Sequence, residues 1–449
     1  MTKKRQRIGR AVVAGAALAS SCVVAIGAAS ADPSSRTDPC GTYSGRGCAP
    51  PSRRVDLRPP SFTHSTAITN PLFPIARLRA AVLLGRVDGR PFRSETTLLP
   101  GSSTVVWNGR RIRVLLSQYM AFVNGRLDEV ALDRYAQADD GSVWYLGEDV
   151  FDYGRGAVAV TEGTWLAGRD GPAAMIMPAR PRVGDVFRTE NIPGVVFEEV
   201  TVTATGKTVQ GPHGPVSGAI LGEELHLDGS RSPKTFAPGY GEFLTVEGSD
   251  REALALAAPT DRLRGPLPGE LRFLVTGAFG ILENARLEDW EAASSTAQRL
   301  LDAWAAVKPA APPLIAQGLA GNLRELARAV HAHRAGTVSQ LAVDVARFAL
   351  DLELRYRSVA AVDVERFHLW TQQLRVHAAR HDLNGVMGDV ATLEWVRERL
   401  SDTLQPAERQ EVDAALHDLR EAVDTCNLPA AADHAARLGA LVRRLAGAA

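Results

Sequence analysis

Six Asx-Gly dipeptides punctuate the first half of this chain: Asp88-Gly89, Asn108-Gly109, Asn124-Gly125, Asp140-Gly141, Asp170-Gly171 and Asp228-Gly229. Such pairs tolerate the positive φ that a tight hairpin turn demands, so each one folds the chain back on itself. Between them lie runs dominated by β-branched and aromatic residues, such as residues 104–107 and 111–119. The stretch YAQADDGSVWYLGE, residues 135–148, has the clearest turn signal and reads as the central hairpin of an antiparallel meander. A curved sheet, open barrel or sandwich is expected, and not a βαβ fold.

From residue 286 the apolar spacing changes to three and four. Leu287, Trp290, Ala297, Leu301 and Trp304 mark one helix; Leu319, Leu323, Leu326 and Val330 a second; Leu341, Val345, Phe348 and Leu352 a third. Phe367, Trp370 and Leu374 mark a fourth, which Val390, Leu393, Val396 and Leu400 extend past a weak point at Gly385 and Gly388. A last pair covers residues 412–423 and 430–445. Short links between such segments predict a bundle of five or six antiparallel helices, with no clear repeat period. The fold class is α+β: a β domain over residues 62–248, a connector over 249–284, and a helical bundle over 285–449.

The N-terminus carries Lys3, Lys4, Arg5, Arg7 and Arg10 before an apolar run and an Ala29-Ser30-Ala31 cleavage pattern. This predicts a signal peptide over residues 1–31 and a secreted or cell-envelope protein, with membrane attachment only where that segment is retained or lipidated at Cys22. Residues 32–61 are rich in Pro, Ser, Arg and Gly and read as a disordered leader. The whole chain balances 51 basic against 51 acidic residues, and losing five signal cations leaves 46 against 51. A mildly acidic chain with scattered arginines disfavours nucleic acid as a partner. Cys40 and Cys48 bracket a Gly-rich loop and predict a disulfide, leaving Cys426 as a buried or half-buried thiol.

The hairpin stretch resembles a motif of a family of secreted bacterial proteins, Tyr-Ala-Gln-Asp followed by Gly-Asn-Val-Trp-Tyr-Phe-Gly-Glu. The likeness extends to Thr69-Asn70-Pro71-Leu72-Phe73-Pro74, to residues 163–168, to Ile176-Met177-Pro178 with Gly184-Asp185, and to residues 237–241. It implies export and a β domain, and no particular reaction. Ala138 is inserted where the family runs Gln into Asp, and no charged residue precedes Lys234 where the family has one.

Three constellations bear on chemistry. Extending the helical phase from Phe367, Trp370 and Leu374 carries His377 and His381 inward, and Val330 carries His333 inward on a second helix. Three imidazoles facing one core suit copper, zinc or iron, with Asp344, Asp351, Asp382 and Asp389 as nearby carboxylates. His331, His368, His417 and His434 read as surface or rim residues. Met175 and Met177, at strand spacing, offer soft ligands for Cu(I) or simply pack. Asp139, Asp140, Glu148, Asp149 and Asp152 surround the hairpin; the first two serve the turn, and Glu148 reads as an exposed strand end. No Gly-x-Ser-x-Gly elbow, His-Glu-x-x-His or dinucleotide loop is present, so no catalytic residue is assigned. The aromatic residues Tyr135, Trp144, Tyr145 and Trp165 are the candidates for a ligand-binding concavity. The expectation is a non-enzymatic binding protein, without cofactor, for a small apolar ligand or a protein partner. A metal-handling protein built on the three histidines is the alternative.

Overall fold

The computed structural model describes residues 48–192 and 194–447. Fifteen antiparallel strands form one sheet, and eight α-helices follow among the described residues. The first strands are β1 Ala80–Val87, β2 Arg90–Leu98, β3 Ser103–Trp107, β4 Arg110–Val123, β5 Arg126–Gln137 and β6 Val143–Gly154. Short strands β7 Ala157–Val160, β8 Trp165–Leu166 and β9 Ala174–Met177 come next. The remainder are β10 Val186–Ile192, β11 Val196–Gly211, β12 Gly214–His226, β13 Arg231–Ala237, β14 Gly241–Glu247 and β15 Asp250–Ala258.

The Asx-Gly turns do what their chemistry dictates. Asp88-Gly89, Asn108-Gly109 and Asn124-Gly125 join β1 to β2, β3 to β4 and β4 to β5, with φ positive at both residues of each pair. At the β5–β6 turn the Asp140 carboxylate accepts the Ser142 N–H at 2.9 Å, while Asp139 accepts the Thr63 N–H at 2.7 Å. That hairpin is not central, however. The sheet runs β10-β11-β12-β13-β14-β15-β1-β2-β4-β5-β6-β7, so it lies near one end.

The sheet is open but strongly curved. Strand β9 pairs with β6 and packs on β10, which brings the two ends of the path together. Tyr135 and Tyr145 from one end consequently share an apolar cluster with Phe187, Val200, Ile220 and Phe236 from the other. The result is an enclosed inner face and an outer face, and strand register assigns each residue to one of them.

The helices are α1 Gly269–Arg286, α2 Trp290–Val307, α3 Pro313–His331, α4 Ala335–Glu353, α5 Val359–Ala379, α6 Leu383–Arg399, α7 Pro406–Asp424 and α8 Leu428–Gly447. They form four successive hairpins whose turns share one device. A non-glycine residue with φ of 50–57° follows the first helix of each pair: Glu288, His333, His381 and Cys426. These positions recur after 45, 48 and 45 residues, a period that the side chains conceal. Helix α1 packs on α4 and α5 on α8, giving two linked four-helix units.

Several expected boundaries are corrected. Residues 249–284 are no connector, because β15 completes the sheet and α1 opens the bundle. Gly277 is a contact and not a break: a Cβ there would lie 2.9 Å from Leu300 Cδ2 on α2. The expected fourth helix is two helices, α5 and α6, because His381 turns the chain and Asp382 caps α6 by accepting the Gly385 N–H at 3.0 Å. The leader is ordered from residue 48, where the Glu199 carboxylate accepts the Ala49 N–H at 2.7 Å and the Val186 carbonyl accepts the Val55 N–H at 2.9 Å. The expected signal segment and Cys40 lie outside the described residues. Cys48 is disulfide-bonded, while Cys426 is exposed and not buried, because it occupies a hairpin turn. No described helix is long and apolar enough to cross a membrane.

The bundle meets the outer face through buried ions. Arg93 on β2 holds Asp351 of α4 at 2.6 Å and Glu95 at 2.7 Å. Arg366 of α5 reaches Asp351 at 2.9 Å and Asp363 at 3.2 Å, and Arg399 of α6 reaches Glu95 at 2.8 Å. Burial pushes the Glu95 carboxyl up, but Arg366, Arg93 and Arg399 together hold it well below the usual range. Three guanidinium groups thus balance three carboxylates, all six buried.

Candidate functional site: the acidic inner face of the sheet

Strand alternation turns one set of polar residues toward the enclosed face. Register pairs Thr96 with Tyr119 and Leu98 with Ser117 across β2 and β4, and Ser117 with Asp133 across β4 and β5. Asp133 in turn faces Glu148, and Glu129 faces Asp152, across β5 and β6. At the other end Glu190 faces Glu198 and Glu198 faces His226. Glu224 lies opposite Ser232, Lys234 opposite Thr245, and Thr245 opposite Glu252, with Glu242 bonded to Thr245. All of these are buried except Glu252, which is half-buried. Nine carboxylates and one ammonium therefore share the inner face among the described residues.

Three sub-sites can be distinguished. In the first, the Tyr135 and Tyr145 rings stack at 4.9 Å and Trp165 meets Tyr145 edge-on at 5.3 Å. Tyr145 donates to Asp133 at 2.6 Å, and the Trp165 indole N–H donates to Glu190 at 2.8 Å and to Glu148 at 3.2 Å. These hydrogen bonds let carboxylates sit among aromatic rings. Burial, and after it the Asp133 charge, pushes the Tyr135 and Tyr145 hydroxyls well above their usual range. The glutamate Glu129 is raised to about 8, by burial and next by the Asp152 charge, so it is protonated at neutral pH.

The second sub-site is a cluster of Glu198, Glu224 and His226, whose ligand-capable atoms lie within 4.8 Å of one another. An ammonium already sits on it: Lys234 Nζ is 2.9 Å from Glu224 and 3.5 Å from Glu242. His226 Nε2 also lies 2.8 Å from Ser232 Oγ, and its Nδ1 is 3.6 Å from Glu198. The order serine, imidazole, carboxylate has the form of an activated nucleophile. Ser232 is nevertheless wholly enclosed at the second position of β13 and followed by Pro233, and Glu224 stands 3.7 Å from His226 Nε2.

The third is a cavity of about 30 Å³ at a mouth of the inner face. Phe73, Pro74, Ile75 and Leu78 form its apolar rim, and Thr96, Ser117, Asp133, Tyr135, Tyr240 and Glu242 form the rest of the wall. The hydroxyls of Thr96 and Ser117, and that of Tyr119 beside them, are buried without a hydrogen-bond partner among the described residues. A buried hydroxyl left unsatisfied costs about 1–3 kcal/mol, so these three positions favour a partner that supplies donors or acceptors.

The aromatic candidates are placed as follows. Tyr135, Tyr145, Trp144 and Trp165 all belong to a solid cluster and do not line an open concavity; Tyr135 alone reaches the small cavity, and Trp144 borders a surface hollow beneath residues 54–61. Met175 and Met177 pack in the same cluster. Glu148 is buried in mid-strand and is not an exposed end.

The three histidines are not brought together. His333 and His381 are exposed turn residues beyond the ends of α3 and α5, and His333 stacks on Trp290 at 4.7 Å. The helical phase cannot be extended through a turn, so the inward-facing set reduces to His377. That residue accepts or donates at 2.6 Å to Asp389 through Nδ1 and lies 3.3 Å from Gln373 through Nε2. Burial, opposed by the His377 hydrogen bond, raises the Asp389 carboxyl to about 6. His368, expected at the surface, is buried against Phe279, and burial lowers it to about 3. The metal-handling expectation thereby loses its ligand set. No protein-family model and no curated protein matches this chain.

Proposed function

We propose that the protein is an exported, non-enzymatic binding protein whose ligand seat is the inner face of the sheet, entered at the Thr96–Ser117 cavity. The observation that carries this reading is the set of three buried hydroxyls, Thr96, Ser117 and Tyr119, turned to an enclosed polar face without partners among the described residues. Enclosure also argues against turnover, since Ser232, the one serine beside an imidazole and carboxylate there, has no open path to substrate. The basic and apolar N-terminal segment favours a location outside the cytoplasm.

Native mass spectrometry of the protein purified from its own culture tests the seat. A bound small molecule is expected in the wild type and absent in Ser117→Leu, which fills the cavity. Retention by the filled variant would place the ligand elsewhere. A fluorophosphonate probe should leave Ser232 unlabelled; labelling that disappears in Ser232→Ala would make the protein a hydrolase.

A further inference from the structure

We infer that a cleft between the helical bundle and the strand ends binds a neutral, hydroxyl-rich ligand, a disaccharide in size and chemistry. It is a second seat, on the bundle side of the sheet, and does not depend on the inner-face seat proposed above. Helices α3, α4 and α5 wall it on one side and the β1–β2 and β4–β5 turns on the other. Its volume is about 490 Å³, within the range of about 300–1,000 Å³ usual for small-molecule sites. The charges along it are already matched. Arg347 holds Asp344 at 2.7 Å, Arg93 holds Asp351 at 2.6 Å, and Arg126 pairs with Asp382. The remaining lining guanidinium, Arg380, is exposed and donates to the Gly336 carbonyl. A charged ligand therefore meets no unpaired counter-charge in the depth of the cleft, whereas hydroxyls, which both donate and accept, suit a wall of ion pairs and amides.

The polar wall is fixed before any ligand arrives. Gln340 of α4 and Gln373 of α5 exchange hydrogen bonds at 2.9 and 3.0 Å across the seam between the two four-helix units. Arg347 reaches Gln373 at 3.3 Å, and Gln373 in turn lies 3.3 Å from His377 Nε2. Side chains that hold one another in this way lose little freedom on binding. Accepting and donating capacity is left at three places. Asp344 serves Arg347 and Gln340 through Oδ1, which leaves Oδ2; Gln340 Oε1 accepts once and has a second lone pair; and the half-buried amide of Asn322 on α3 has no hydrogen-bond partner among the described residues. Apolar contact comes from Leu84, Phe122 and Phe348 in the same cleft, and the Phe348 ring lies against Gly318, where no side chain would fit. The C–H face of a sugar ring covers such a surface while its hydroxyls reach the amides. A wholly apolar ligand would strip those amides of water without replacing it.

Calorimetric titration of the purified protein with maltose, cellobiose and lactose tests this, with cellobiouronic acid and the dimer of glucosamine as the acidic and basic counterparts. At least one neutral disaccharide should bind at millimolar concentration, and both charged ones at least about tenfold more weakly. Asn322→Leu, which fills the cleft from a half-buried position, should abolish that binding, and Asp344→Asn should weaken it by about tenfold. The two substitutions lie on different helices, so one keeps the test valid should the other fail to fold. Ser117→Leu, which fills the inner-face cavity, should leave sugar binding unchanged, so that this seat and the inner-face seat stand or fall separately. Tighter binding of the acidic or basic disaccharide would overturn the neutral ligand. Sugar binding that survives both Asn322→Leu and Asp344→Asn, or that a folded Ser117→Leu protein loses, would overturn the cleft. No binding of any neutral disaccharide at millimolar concentration would overturn the inference as a whole.

Discussion

The two faces of the same sheet bury polar groups in different ways. On the outer face, Glu95, Asp351 and Asp363 are matched one for one by Arg93, Arg366 and Arg399, two of which come from the helices. On the inner face the hydroxyls of Thr96, Ser117 and Tyr119 are buried without a hydrogen-bond partner among the described residues. Balanced burial locks two elements together, because removing either partner strands a charge. Buried hydroxyls without a partner among the described residues leave an enclosed surface that can still take up hydrogen bonds. The contrast separates the part of the sheet that holds the bundle from the part that can hold something else.

The largest effect should come from breaking the balanced face. Arg399→Met removes the guanidinium that serves Glu95 and Gln118 and should lower stability by about 3–5 kcal/mol in urea denaturation. A loss below about 1 kcal/mol would mean that the network is not what fastens the bundle.

Neutralising a carboxylate on the inner face should have the opposite sign. Glu129 is raised to about 8 in the folded chain, so the folded state holds a proton that the unfolded state releases above its ordinary value of 4.5. Stability therefore falls as pH rises from about 4.5 to about 8, by an amount on the order of a few kcal/mol. Glu129→Gln should flatten that slope and be more stable than wild type above pH 8. Parallel denaturation curves of the two proteins at pH 5 and pH 8.5 would sink this account.

A smaller effect belongs to the bundle itself. His368 is lowered to about 3 by burial, so its contribution is complete above about pH 6.5 and is lost as pH falls toward 3. His368→Phe should remove that acid sensitivity, by no more than about 1–3 kcal/mol near pH 4, as read from thermal unfolding in acid.

Local chemistry was legible in the sequence wherever it was self-contained. Asp88-Gly89 and Asn124-Gly125 announced turns because positive φ is a property of those residues alone. The α+β division was legible because the apolar period changes. The polar inner face was not, since alternation shows that two faces exist but not which one is closed by curvature. Glu148 illustrates the difficulty: Gly147, at φ 130°, lies in a register shift that returns Glu148 to the face of Asp133 and Tyr145. The histidines failed for a related reason. Phase arithmetic assumes an unbroken helix, and α3 ends before His333 as α5 ends before His381.

The recurring turn sets a unit length within the bundle. Glu288, His333, His381 and Cys426 hold one backbone conformation with three kinds of side chain, at intervals of 45, 48 and 45 residues. What the four sites share is the backbone conformation and not one side-chain chemistry, although at His333 the ring also stacks on Trp290. Two of the histidines that most resembled a metal site thus share a backbone position in the hairpin unit and no chemistry.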